Sequence, residues 1–125
     1  MAPRILFINK MSDQCNFLTV LEKRGYHILT ACNGLKMIRH LEVERPDLII
    51  MQTKSSWPNS FSLCTALRSG KYSSIPVFFL SENNDDDEQN QSISCGANKY
   101  FSLPNQMDHF LQSVREICGA PKFRS

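Results

Sequence analysis

The sequence predicts an α/β fold, a single doubly wound parallel sheet in which five strands alternate with five helices. The order of apolar and amphipathic segments predicts this fold. Short apolar runs alternate five times along the chain with longer amphipathic segments, and this order implies parallel strands joined by right-handed crossovers with helices on both faces. The chain has 125 residues, the length of one domain. We assign residues 1–119 to that domain and residues 120–125 to a flexible C-terminal tail.

The first strand, first helix and second strand come from the N-terminal quarter of the chain. Residues 4–9 form the first strand around an apolar centre. Ser12 can cap a helix that runs to about Arg24, and Gly25 follows in the position that commonly ends a helix. The second strand, residues 27–31, mixes polar and apolar side chains. That mixture predicts a strand at the edge of the sheet.

The second helix and third strand follow. The helix opens at residues 33–34 and Pro46 stops it, because proline disfavours a helical residue before it. Its apolar side chains recur at every third position: Leu35, Ile38 and Leu41. Residues 48–51 form an uninterrupted apolar strand, a pattern typical of a strand buried on both faces.

The C-terminal half repeats the alternation twice more. The third helix carries apolar side chains at helical spacing: Phe61, Cys64 and Leu67. Residues 75–80 form the fourth strand, and the acidic run 85–88 begins the fourth helix, where carboxylates suit the helix dipole. We expect that acidic run to be solvated, and the alternative is a docking patch for a partner. Residues 99–102 form the fifth strand, and the last helix begins at about Asn105 with clean apolar periodicity.

Composition excludes several classes of protein. The formal net charge is only +2 and the basic residues are scattered, so the chain lacks an electrostatic footprint for nucleic acid. The sequence contains no apolar stretch of the ~20 residues that a membrane helix needs. The cysteines show no paired metal spacing and are odd in number: Cys15, Cys32, Cys64, Cys95 and Cys118. These features predict reduced thiols in a cytoplasmic protein that contacts neither membrane nor nucleic acid directly.

A series of short motifs carries a resemblance to a known family. In chain order they are Gly25-Tyr26, Ala31-Cys32-Asn33-Gly34, Pro46-Asp47-Leu48-Ile49-Ile50, Ile75-Pro76-Val77, Gly96-Ala97-Asn98-Lys99-Tyr100 and Pro104. Together they resemble the receiver domain of two-component response regulators, from about residue 3 to residue 118. The resemblance implies a flavodoxin-like sheet with strand order 2-1-3-4-5.

The resemblance also implies a phosphoryl-acceptor pocket, and this chain departs from it at most positions. In the family, two acidic residues after the first strand bind Mg²⁺ together with an acceptor aspartate that ends the third strand. Those positions hold Asn9, Lys10 and Gln52 here. Ser81 keeps the hydroxyl that contacts the phosphoryl group, while Leu103 replaces the lysine that pairs with it. The pocket is therefore degenerate.

The replacements remove the chemistry of the family. A carboxylate attacks phosphorus as a nucleophile, whereas the amide of Gln52 has a delocalised lone pair and no charge. Mg²⁺ prefers anionic oxygen ligands, and Lys10 places an ammonium group among the metal positions. We therefore predict no catalytic residue, no metal site, no cofactor and no enzymatic activity.

These observations predict a non-phosphorylatable pseudo-receiver that acts by protein–protein interaction in two-component-like regulation. The resemblance implies that partners bind the face formed by the fourth helix, fifth strand and fifth helix. It places Tyr100 at the position of the switch aromatic of that face, and Pro104 just beyond the strand. The alternative for Tyr100 is an ordinary half-buried tyrosine of a strand, a position that tyrosine prefers. Trp57, in the loop after the third strand, is a second candidate anchor for a partner.

An alternative of another class is a sensor of a small anion or other small ligand. Doubly wound sheets bind ligands at the carboxyl ends of their strands. There the resemblance gathers Asn9, Lys10, Gln52 and Ser81, hydrogen-bonding groups with one cation. A pocket filled by side chains would favour the signalling module, and an open crevice would favour the sensor.

Overall fold

A computed structural model describes residues 3–8, 16–31, 34–53, 60–81, 86–102 and 105–119. The described residues contain five strands, β1 (Arg4–Ile8), β2 (His27–Ala31), β3 (Leu48–Gln52), β4 (Val77–Ser81) and β5 (Lys99–Ser102). Between and after them lie α1 (Asn16–Lys23), α2 (Gly34–Arg39), α3 (Ser60–Ser69), α4 (Asp86–Ser94) and α5 (Met107–Cys118). The predicted tail 120–125 and the predicted helix cap Ser12 lie outside the described residues.

The strands pair in parallel in the order β2-β1-β3-β4-β5. This confirms the predicted fold class and strand order, and it puts β2 at an edge as its mixed polarity predicted. β3 is buried along its apolar length, in agreement with its uninterrupted apolar sequence.

Alternate side chains of the central strands enter two separate apolar layers, because successive strand residues point to opposite faces of a sheet. On one face the strands pack against α1 and α5, chiefly through Leu21, Phe110 and Val114. On the other face they pack against α2 and α3, chiefly through Met37, Cys64 and Leu67. The sheet is therefore covered on both faces, as a doubly wound fold requires.

The second helix buries only one residue, Leu41, of the three that its three-residue spacing singled out. Leu35 is 82% exposed and Ile38 51% exposed, whereas Met37 and Leu41, four residues apart, are buried. The helix continues as a π-helical segment, His40–Glu44, that ends at Arg45 with a positive φ of 51°. Four-residue spacing fits one face of an α-helix as well as three-residue spacing does, so periodicity over so short a segment did not select the face.

The turn into β5 is held by Arg68 of α3. Its Nε donates to the Gly96 carbonyl oxygen at 2.8 Å, and its guanidinium also contacts the Asn98 side chain. Gly96 has a φ of +97°, and a Cβ there would lie 2.7 Å from Arg68 Cγ. Glycine is needed for both reasons, and the turn brings β5 and α5 into place.

None of the described helices is both long and apolar enough to cross a lipid bilayer.

Candidate functional site

Gln52, Thr53 and Ser81 lie together at the carboxyl edge of the sheet. Gln52 ends β3 opposite Leu80 of β4. The Thr53 N–H donates to the Leu80 carbonyl oxygen at 2.9 Å, which carries the β3–β4 pairing one residue beyond Gln52. Ser81 ends β4 and is 5% exposed, while Gln52 and Thr53 are half-buried. Parallel pairing thus brings two of the predicted pocket residues, Gln52 and Ser81, to neighbouring strand ends.

The other predicted pocket residues, Asn9, Lys10 and Leu103, lie outside the described residues, as do Pro104 of the predicted partner face and Trp57. Tyr100 is described. It is half-buried in β5 opposite Phe79 and packs on the sheet face that α2 and α3 cover.

A residue that sequence analysis did not single out completes the described part of this edge. Glu88 of α4 is only 8% exposed. Its Oε2 atom accepts a hydrogen bond from Ser81 Oγ at 2.7 Å and another from Thr53 Oγ1 at 2.9 Å. The expectation that the acidic run 85–88 is solvated is therefore wrong for Glu88. The reason is physical, since a carboxylate enters a protein interior when donors there compensate its lost hydration.

The amino-acid composition of α4 indicates that this helix buries polar side chains against the sheet. The helix reads DDEQNQSIS, and its single large apolar residue, Ile93, is 60% exposed. A helix without an apolar stripe has to bury polar residues wherever it meets the sheet. Glu88 and Ser92 are those residues, four positions apart on one face. Ser92 Oγ donates to the Glu88 carbonyl oxygen at 2.8 Å, so the buried hydroxyl of Ser92 is satisfied within the helix.

The thiols of the described residues have no catalytic setting. Cys64, Cys95 and Cys118 are unbridged. Burial, with a smaller contribution from a hydrogen bond to Cys95, raises the pKa of Cys64 to about 12. The thiol therefore stays protonated at neutral pH, whereas an activated cysteine has a lowered pKa. Within the described residues, no group of three or more His, Cys, Asp or Glu side chains is arranged to hold a metal ion.

Large exposed apolar side chains of the described surface lie on two helices. One is Ile93 of α4, the helix whose first turn exposes Asp86 and Asp87. The others are on α2 and its π-helical continuation: Leu35, Ile38 and Val43. Both places are candidates for protein contact, since exposed aliphatic groups gain the most from being covered.

Comparisons with known proteins agree with this architecture. A family model described as the response regulator receiver domain matches residues 11–115. The transcriptional regulatory protein YvrH of Bacillus subtilis is 33% identical over 86 residues, which cover 68% of this chain and 35% of that protein. This chain thus spans well under half the length of that relative.

Solved structures show the same fold. The signal receiver domain of a signal transduction histidine kinase from Syntrophus aciditrophicus is 27% identical, with a TM-score of 0.78 and coverage of 99% of this chain and 96% of that one. A putative response regulator from Chloroflexus aurantiacus J-10-fl has a TM-score of 0.82 at 19% identity, covering 94% of this chain and 98% of that one. The second likeness concerns the fold alone.

Proposed function

We propose that this chain, which belongs to the response regulator receiver domain family, is a pseudo-receiver that takes no phosphoryl group and works by binding other proteins. One observation carries the proposal. The side chain that ends β3, beside Ser81 of β4, is the amide of Gln52. The family places its phosphoryl-accepting aspartate at that strand end.

The proposal rests on what an amide does at that place. A carboxylate can form an acyl phosphate because it carries charge and a free lone pair, and Gln52 brings neither. In sequence, Asn9 and Lys10 replace the acidic residues that would bind Mg²⁺. Relatives such as YvrH are named as transcriptional regulatory proteins rather than as enzymes. We accordingly propose no catalytic, metal or cofactor role for this domain.

We further propose that the partner is a protein, that it binds the face formed by α4, β5 and α5, and that it does so in the cytoplasm. Ile93 supplies an exposed apolar group on α4, and Tyr100 of β5 is half-buried. Scattered basic residues and a net charge of +2 support a protein partner over direct contact with nucleic acid. The domain spans a small part of its relatives, so these statements concern the domain and not a longer protein.

The geometry disfavours the alternative of a small-anion sensor. The hydroxyls of Ser81 and Thr53 already donate to the Glu88 carboxylate. An incoming anion would meet a like charge at the donors it needs, and like charges in a partly buried place repel strongly.

Phosphoryl transfer from acetyl phosphate tests the proposal. Intact mass is measured after incubation with acetyl phosphate and Mg²⁺, and we expect no gain of the ~80 Da that an added phosphoryl group brings. The positive control is the quadruple variant Asn9→Asp, Lys10→Asp, Gln52→Asp and Leu103→Lys, made in a Glu88→Ala background so that no carboxylate occupies the Ser81 hydroxyl. We expect it to be labelled, because it restores the metal carboxylates, the nucleophile and the charge partner.

The single variant Gln52→Asp, made in the same Glu88→Ala background, separates loss of the nucleophile from loss of the metal site. We expect little labelling, because the new carboxylate has Lys10 rather than a metal among its sequence-predicted neighbours. An adduct on the unaltered chain, mapped to the pocket, would overturn the proposal. Equal labelling of the single and quadruple variants would overturn the account of the lost metal site.

A further inference from the structure

Two hydroxyl groups from different strand ends converge on a single carboxylate oxygen. Ser81 Oγ and Thr53 Oγ1 both donate to Glu88 Oε2, at 2.7 Å and 2.9 Å. Ser81 is 5% exposed and Glu88 8% exposed. Two hydroxyl donors that lie outside α4 and point at one oxygen form a site for an anionic oxygen. In this protein that oxygen is Oε2 of the Glu88 side chain.

The helix that carries Glu88 buries two polar residues and no large apolar one. Its buried residues are Glu88 and Ser92, and Ile93 is exposed. A helix of 9 residues is too short to be stable alone and depends on tertiary contacts. The Ser92 hydroxyl donates its hydrogen bond within the helix, to the Glu88 carbonyl oxygen. The Glu88 carboxylate joins α4 to the ends of both β3 and β4.

We propose that Glu88 is the permanent intramolecular ligand of the Ser81–Thr53 hydroxyl pair, and that this contact holds α4 in one position without a phosphoryl group. The inference deepens the proposed function and rests on it, because a receiver that takes no phosphate needs another means of setting the position of α4. It follows that the part of the partner face contributed by α4 stays in a single state.

Hydrogen exchange of the full chain tests this role. We compare the unaltered protein with Glu88→Ala, Glu88→Gln and the control Gln89→Ala, an exposed position next along the same helix. We expect the amides of residues 88–95 to exchange about tenfold faster or more in Glu88→Ala, because a hydrogen-bonded buried charge is lost. The increase should be smaller in Glu88→Gln, whose amide oxygen still accepts, and absent in Gln89→Ala.

The effect has to be local if Glu88 positions α4 rather than supporting the fold in general. Peptides from β1 and β3 should therefore exchange at the same rate in all four proteins. If Glu88→Ala does not fold, Ser81→Ala and Thr53→Val replace it, since each removes one donor and leaves the carboxylate in place. Unchanged exchange across residues 88–95 in the folded variants, or a uniform increase over the whole chain, would overturn the proposal.

A combination of variants distinguishes a shared contact from independent effects. In the Ser81→Ala, Thr53→Val double variant, α4 should exchange at least as fast as in Glu88→Ala, because the buried carboxylate loses both hydroxyl donors. Adding Glu88→Ala should then increase the exchange no further, because groups that act as one network are not additive. A fully additive further increase would show that Glu88 does not act through these two hydroxyls.

Inorganic phosphate tests whether the internal ligand is permanent. Phosphate at millimolar concentration should leave α4 exchange in the unaltered protein unchanged, and an effect there would mean that an external anion displaces Glu88. These outcomes are separable from those of the proposed function. Labelling by acetyl phosphate would defeat the pseudo-receiver proposal, whereas unaltered exchange in Glu88→Ala would defeat only the role of Glu88.

Discussion

Helices α4 and α5 flank the same strand, β5, but contact the sheet by different means. α5 buries Phe110, Leu111 and Val114 in the apolar layer that it shares with α1. α4 buries Glu88 and Ser92 and leaves its large apolar residue exposed. One helix is held mainly by apolar area and the other by directed hydrogen bonds.

This difference between α4 and α5 determines how each helix responds to a substitution. Apolar burial is non-directional and scales with the area removed from water, so α5 has many small contributions that no single neighbour controls. The hydrogen bonds of α4 depend on two particular hydroxyls at particular distances, and a buried carboxylate without donors is costly. Loss of the two hydroxyl groups should therefore loosen α4, whereas α5 should loosen only when a whole apolar side chain is lost.

The largest expected effect is that of Phe110→Ala in α5. The ring lies edge-on to Phe101 at 5.5 Å and to Phe78 at 6.5 Å between centroids, and it is fully buried. We expect the free energy of unfolding to fall by about 3–5 kcal/mol, since the ring leaves a cavity. Chemical denaturation measures it, with the exposed Gln112→Ala on the same helix as control. A loss no larger than that of the control would contradict the apolar account of α5.

A smaller effect is expected at alkaline pH from the last residue of α5. Burial, with a lesser contribution from the charge of Asp47, raises the pKa of Cys118 from 9.0 to about 12. Between these values the unfolded chain loses a thiol proton that the folded chain retains, so the free energy of unfolding falls as pH rises. Below pH 9 this contribution is fully present.

Thermal unfolding followed from pH 8 to pH 11 in the unaltered protein and in Cys118→Ala measures that contribution. The melting temperature should decline less steeply with pH in the variant, because the variant has no thiol at that site. Identical slopes would show that the thiol is not shielded by the packing of α5.

The smallest expected effect on stability is that of Ile93→Ala in α4. The side chain is 60% exposed, so we expect a change within about 0.5 kcal/mol. Its effect should instead be on binding, if α4 belongs to the partner face. The domain is immobilised and exposed to a lysate of the source cells. The measurement is the amount of each protein that co-purifies with it.

Leu35→Ala is the matched control, since Leu35 is the corresponding exposed aliphatic residue of α2, at 82% exposure. Recovery that falls with Ile93→Ala alone supports the face of α4, β5 and α5. Recovery that falls with Leu35→Ala alone would move the partner to α2.

Much of the fold was predictable because its signals are local. Strands β2 and β5 have the predicted bounds, and Gly25 and Pro46 mark where helical segments end. The burial of β3 followed from its uninterrupted apolar sequence. Each of these features depends on a short stretch of backbone or on side-chain alternation, which neighbouring residues determine on their own.

Two placements were not predictable in the same way. In the second helix Leu41 is buried, but Met37 is buried in place of Leu35 and Ile38, because apolar residues three and four apart fit one helical face equally well. Glu88 was read as part of a solvated acidic run. Whether a given side chain faces the sheet depends on where the helix crosses it, and a window of sequence does not contain that information.

The sequence by itself determined the fold class, the alternation of strands and helices, and the identity of the side chain that ends β3. Those properties depend on local pattern and on one residue, Gln52. Only the tertiary structure decided that Glu88 meets Ser81 and Thr53, across 7 and 35 positions of chain. That contact exists because parallel pairing aligns the ends of β3 and β4, and because α4, which lacks an apolar face, meets them with a carboxylate that needs donors.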